Sequence, residues 1–149
     1  MDILSLFACC STLTSFASVR RLAVIAEAML SMTGRVTMLN LSRWTEKGGS
    51  QRTIQRFYAS AVPWAEMLTE FFRRHLFDPD DEYILGGDAT TVTKAGQQTH
   101  GIDRFFSGVL GHVVKGIEFF VLSLISVRKR KSYPLAVGQT EERGGKSAD

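Results

Sequence analysis

The tetrapeptide Asp78-Pro79-Asp80-Asp81 reads as a turn, and the hydrophobic period changes across it. Before it, apolar residues recur with the helical period. After it, β-branched and aromatic residues gather in runs of strand length. One secondary-structure type cannot serve both stretches. The expected fold class is α+β, with a helical region over 1–77 followed by an antiparallel three-stranded sheet over 78–140. The Gly-, Lys- and Glu-rich stretch 141–149 is expected to be a disordered tail.

Within the first stretch, Leu22, Ile25, Ala26 and Met29 follow the i, i+3, i+4, i+7 spacing of an amphipathic helix. Gly34 can end that helix or start the next. Val36 and Leu39 open a second helix that runs to Lys47, and Gly48-Gly49 breaks it. Ser50 stands where an N-cap belongs, ahead of a short helix from Gln51 to Ser60. Pro63 fits the first turn of a helix over 64–77, with Trp64, Met67, Leu68, Phe71 and Phe72 on its apolar face.

Within the second stretch, Tyr83 to Thr93 is the first strand, with Gly86-Gly87 at its middle. Lys94-Ala95-Gly96-Gln97 reads as a turn or loop, and 101–114 as irregular. Ile117 to Val127 is the most hydrophobic run. It places Ile117, Phe119, Val121 and Ile125 on one face and Phe120, Leu122 and Leu124 on the other. Such a strand needs cover on both sides. Arg128 to Ser132 is a charged turn, and Tyr133 to Val137 is a third strand that Pro134 directs to a sheet edge. A three-stranded sheet with a bare face is marginal, so the chain is expected to be a fragment of a larger protein.

Composition narrows the function classes. Hydrophobic residues make up 44% of the 149 and charged residues 22%, which excludes a disordered chain. The apolar N-terminus lacks the basic start of a signal peptide, and no run reaches the ~18 residues of a membrane span. A cytoplasmic protein without membrane contact is expected. The only cysteines, Cys9 and Cys10, are adjacent, which suits buried thiols rather than a structural bridge or a zinc site. Residues 1–77 hold nine Lys/Arg against five Asp/Glu, whereas 78–149 hold nine against ten. The basic excess of the first half suits a polyanionic partner.

Two places carry candidate chemistry. The helix–Gly-Gly–helix stretch 36–60 has the length of a helix-turn-helix. Its second helix sets Ile54, Phe57 and Tyr58 on one face and Gln51, Arg52, Gln55 and Arg56 on the other. Arg bonds guanine edges or phosphates and Gln bonds adenine; Arg43 and Lys47 add phosphate-type charge. The competing reading is the solvated face of an ordinary bundle. The second place is Gly86-Gly87-Asp88-Ala89-Thr90-Thr91. A carboxylate inside an apolar strand is costly unless it is paired or metal-bound. Asp88 is therefore either a hard oxygen ligand for Mg²⁺ or the partner of a cation such as Lys94 or Arg104. His75, His100 and His112 lack ligand spacing. Asp103 and Glu118 suit salt bridges, and the basic run 128–131 suits a solvated hairpin tip.

Longer strings carry a resemblance. Tyr83-Ile84-Leu85-Gly86-Gly87-Asp88, Thr91-Val92-Thr93-Lys94-Ala95-Gly96 and Thr99-His100-Gly101-Ile102-Asp103-Arg104-Phe105-Phe106-Ser107 follow one another. With Gly116-Ile117-Glu118-Phe119-Phe120 and Ser132-Tyr133-Pro134-Leu135, they resemble the start of the catalytic domain of bacterial insertion-sequence transposases of the DDE class. Residues 30–39 and 42–50 are similar to the helical N-terminal region of the same proteins. The resemblance spans most of 20–140. It implies a truncated RNase H-like core whose complete form carries Asp, Asp and Glu around two divalent metals, Mg²⁺ or Mn²⁺. Asp88 matches the first Asp as catalytic residue and metal ligand, and no position here corresponds to the other two. Members often have Glu directly after that Asp, where this chain has Ala89.

The implied partner is DNA, in the form of the terminal inverted repeats of the chain's own element. The expectation is a transposase fragment for metal-dependent cleavage and strand transfer, inactive alone. The alternatives are an inhibitor that binds DNA or joins full-length transposase, and a non-functional remnant.

Overall fold

The computed structural model, which describes residues 2–45, 49–96 and 99–140, starts three helices on side chains that accept a backbone N–H. Asp2 caps α1 (Ile3–Phe7), Ser15 caps α2 (Phe16–Ser31) and Thr37 caps α3 (Met38–Trp44). A 3-10 helix, Ala8–Thr12, follows α1. Ser50 does precede α4 (Gln51–Tyr58), but its hydroxyl meets that of Thr53 at 3.2 Å instead of capping an N–H. Pro63 stands just ahead of α5 (Trp64–His75) rather than within its first turn. The chain divides into two compact units, Met1–Phe77 and Asp78–Asp149.

The helical unit is built on two groups of buried side chains. Ile25 and Ala28 of α2, Leu41 of α3, and Ile54 and Phe57 of α4 form one. Cys10, Val19 and Met67 form the other, with Leu4 and Phe7 against them. The thiol of Cys10 behaves as a buried hydrophobe, and burial pushes its pKa up to about 12. The face that α2 buries differs from the expected stripe: Val19, Ala23, Ile25 and Ala28 are inside, while Met29 is exposed. Apolar residues surround almost the whole of this helix, so periodicity does not single out one face.

The sheet unit has one spine. β3 (His112–Ser126) pairs antiparallel with β1 (Tyr83–Thr93) through residues 116–126. It pairs with β4 (Lys131–Thr140) through 118–126, so these two strands occupy its two edges there. The short β2 (Asp103–Ser107) pairs with residues 112–116 of β3. The expected three-stranded sheet thus gains a fourth, short strand within the stretch read as irregular, and β3 begins five residues before Ile117. Gly111, at φ +70°, makes the turn between them. Pro134 lies on β4, whose only partner among the described strands is β3, and the register slips beside it between Leu122 and Ser123.

Both sheet faces carry open apolar side chains. Asp88, Gly86 and Ile84 share a face with Val121, Ser123 and Ile125, by the register. On that face Ile84 and Val137 are more than half exposed; on the other, Leu85 is 61% and Phe120 49% exposed. The tail 141–149 lies outside the described residues.

Carboxylates tie the turn after β3 to the segment before β1. Asp81 accepts from the buried Ser126 hydroxyl and from the Arg128 backbone N–H at 3.0 Å. Asp78 meets Lys129 Nζ at 3.1 Å, so the basic tip is anchored rather than simply solvated. The hydrogen bond from Ser126, foremost, holds the Asp81 carboxyl below its ordinary value of 3.8. A depressed carboxyl stabilises the fold above its unfolded pKa, and that contribution fades as pH falls through the folded value. Wild-type sheet should therefore melt earlier as pH drops below about 4. Asp81→Asn should melt earlier at neutral pH and lose part of that acid sensitivity. Circular dichroism melts at a series of pH values check both statements.

Candidate nucleic-acid interface and carboxylate site

α4 is polarised as its sequence dictates. Ile54 and Phe57 point into the core, and Gln51, Arg52, Gln55 and Arg56 are all exposed opposite them. The helix cannot rotate without pulling Phe57 from its neighbours, so the polar set is held outward. Tyr58, placed by the sequence on the same face as Ile54 and Phe57, is 38% exposed; its ring stacks on Trp64 at 6.2 Å, and partial burial raises its pKa. Arg43 is exposed in the last turn of α3. Lys47 lies outside the described residues. Among the described residues, Arg43, Arg52 and Arg56 join no ion pair, which leaves their guanidinium groups available.

Asp88 stands at the middle of β1, opposite Val121. Its surroundings differ from the sequence expectation. The carboxylate is exposed, so no desolvation cost has to be offset. Among the described residues it forms no ion pair, with Lys94, with Arg104 or otherwise. It lines a shallow hollow of about 280 Å³ with Gly86, Gly87, Val121, Ser123, Ile125 and Ser132. The glycines shape the strand around it. A Cβ at Gly87 would fall 2.5 Å from the Phe120 ring, and one at Gly86 would fall 2.9 Å from Ile125 Cδ1. Asp103 and Glu118, expected in salt bridges, join none among the described residues; Asp103 Oδ1 accepts from the Arg104 N–H at 2.7 Å.

His75 Nε2 is 2.8 Å from the Leu6 carbonyl oxygen, and His112 Nδ1 is 2.9 Å from that of Leu110. A place absent from the sequence candidates lies on α2, where Arg20 and Arg21 line a groove against the start of α4. The available signal was Phe16, Arg20 and Val24 at four-residue spacing, which places an arginine on one helix stripe with two apolar residues.

Helices followed by an open antiparallel sheet, with an aspartate at the middle of its first strand, define an α+β protein consistent with the leading part of an RNase H-like fold. A family model described as DDE superfamily endonuclease matches residues 8–140, and the chain belongs to that family. No curated protein and no solved structure matches the chain. The family's enzymes act on DNA and generally use divalent metal ions. Among the described residues no three His, Cys, Asp or Glu side chains converge as a metal site. Asp88 offers one hard oxygen donor, which suits Mg²⁺ or Mn²⁺ but does not hold a pair of ions unaided. No helix among the described residues is long and apolar enough to cross a membrane.

Proposed function

We propose that these 149 residues are the DNA-engaging part of an insertion-sequence transposase, with α4 on the element's terminal inverted repeats and Asp88 as the first metal-binding carboxylate of the complete enzyme. The family match over 8–140, with an exposed aspartate at the middle of β1, carries this reading. In the complete site, divalent ions supply activation of the attacking oxygen and stabilisation of the leaving one. Asp88 contributes a carboxylate that is already open to solvent, while the preceding Gly86 and Gly87 let Ile125 and Phe120 pack close against β1. Arg52 and Arg56 supply phosphate or guanine contacts, and Gln51 and Gln55 supply adenine contacts.

Fluorescence anisotropy with an inverted-repeat duplex and a scrambled duplex tests the reading. The chain should prefer the repeat and weaken as salt rises. Arg52→Ala with Arg56→Ala should reduce affinity and lower the salt slope by about one for each phosphate no longer neutralised. With Mg²⁺ or Mn²⁺ present, the chain alone should not nick either duplex. Nicking that Asp88→Asn abolishes would overturn the proposed incompleteness. Equal affinity for both duplexes would overturn the assignment of the repeats.

A second reading has the chain join full-length transposase and inhibit it. The open apolar side chains on both sheet faces favour it, since such surfaces suit a protein partner. It differs in outcome: the chain would elute with the full-length enzyme and show no preference for the repeat.

A further inference from the structure

The groove between α2 and the start of α4 is about 480 Å³, and its walls include Phe16, Arg20, Arg21, Val24, Gly49 and Thr53. We propose that it seats a backbone phosphate of the duplex that α4 reads, so that two helices grip the DNA; this rests on the DNA-binding reading above. Three observations carry it. First, among the described residues the lining contains two arginines and no acidic side chain, and neither arginine is ion-paired. Second, the remaining walls are mixed. Phe16 and Val24 are apolar and suit a deoxyribose face, while the guanidinium groups suit phosphate oxygens in bidentate geometry. Third, Thr53 belongs to α4, the helix that carries Arg52 and Arg56, so the groove borders the element that reads the DNA. The N-terminal end of the α4 dipole adds to the positive field here.

The test is anisotropy titration of the whole chain against a random-sequence duplex and the inverted-repeat duplex at several salt concentrations. Arg20→Ala with Arg21→Ala should lower affinity for both duplexes alike and reduce the salt slope by about one to two, because phosphates carry no sequence. Arg20→Lys with Arg21→Lys should keep most of the slope. Arg35→Ala with Arg74→Ala removes the same charge from exposed positions outside the groove, and should leave the slope close to wild type. All these side chains are exposed, so an unchanged thermal melt is expected for each variant. Wild-type binding with an unchanged slope in the Arg20/Arg21 variant would overturn the groove while leaving α4 as the DNA reader. An equal loss in the Arg35/Arg74 variant would also overturn it, leaving diffuse charge attraction. No binding of either duplex by wild type would overturn the DNA reading and the groove together; binding of an acidic peptide instead would assign the groove to a protein partner.

Discussion

Phe57→Ala should destabilise the helical unit by about 3–5 kcal/mol, measured as a fall in the urea midpoint of its helical circular dichroism. Phe57 is 3% exposed and belongs to the buried group with Ile25, Ala28, Leu41 and Ile54. Its ring also meets Tyr58 and Trp64 edge-on, with centroids 5.6 and 6.0 Å away. Truncation removes the transfer energy of the ring and leaves a cavity that α2 and α3 cannot fill without moving. A unit of this length has a total stability of about 4–12 kcal/mol at ordinary values per residue. The substitution therefore takes the unit near its unfolding threshold. The expected consequence reaches function, because the same α4 holds Arg52 and Arg56 in place. Tyr58→Ala, with a partly exposed ring, should cost distinctly less. A midpoint unchanged by Phe57→Ala would mean that α4 does not anchor this core.

Gly116→Ala should disrupt the sheet by about 1–3 kcal/mol or more, measured as the loss of β-sheet signal on heating. Gly116 is buried and pairs on both edges at once, with Thr93 of β1 and Asp103 of β2. A Cβ there would lie 2.5 Å from the Val92 carbonyl oxygen and 3.2 Å from Thr91 Cγ2. The nearer neighbour is backbone, so no rotamer change relieves the clash, and β1 itself must shift. That displacement would pass along the strand that carries Asp88. Gly138→Ala is the matched comparison on β4, where the added carbon meets nothing within 4 Å. It should change stability by no more than about 0.5 kcal/mol. Equal melting of the two variants would show that β1 and β3 are not held at the close approach seen at Gly116.

The contrast between α4 and Asp88 shows how far the sequence reaches toward the site. For α4, the residues that anchor the helix and those that face outward are interleaved at 3.6-residue spacing, so burying Ile54 and Phe57 fixes where Gln51, Arg52, Gln55 and Arg56 point. For Asp88, the sequence gives the strand but not the environment. Apolar neighbours along β1 suggested a buried carboxylate. The structure leaves it exposed, because burial depends on what packs across a sheet face and not on the strand's own composition. The Arg20–Arg21 groove was harder still to read, since its walls come from α2 and α4, which belong to distant parts of the sequence.

Local signals in the sequence were enough to determine the order of helices and then strands around Asp78–Asp81, the limits of β1, and the polarity of α4. Each depends on periodicity or turn chemistry within about a dozen residues, a range over which neighbouring side chains dictate the backbone. Tertiary structure alone decided the rest. β2 and the first five residues of β3 are strands because they pair with each other, although Gly101, Gly108 and Gly111 make their sequence look irregular. The buried side of α2 was chosen by the cores on offer, since the helix is apolar almost all round. The link from Asp81 to Ser126 joins residues 45 positions apart, and only the fold brings them within reach of a hydrogen bond.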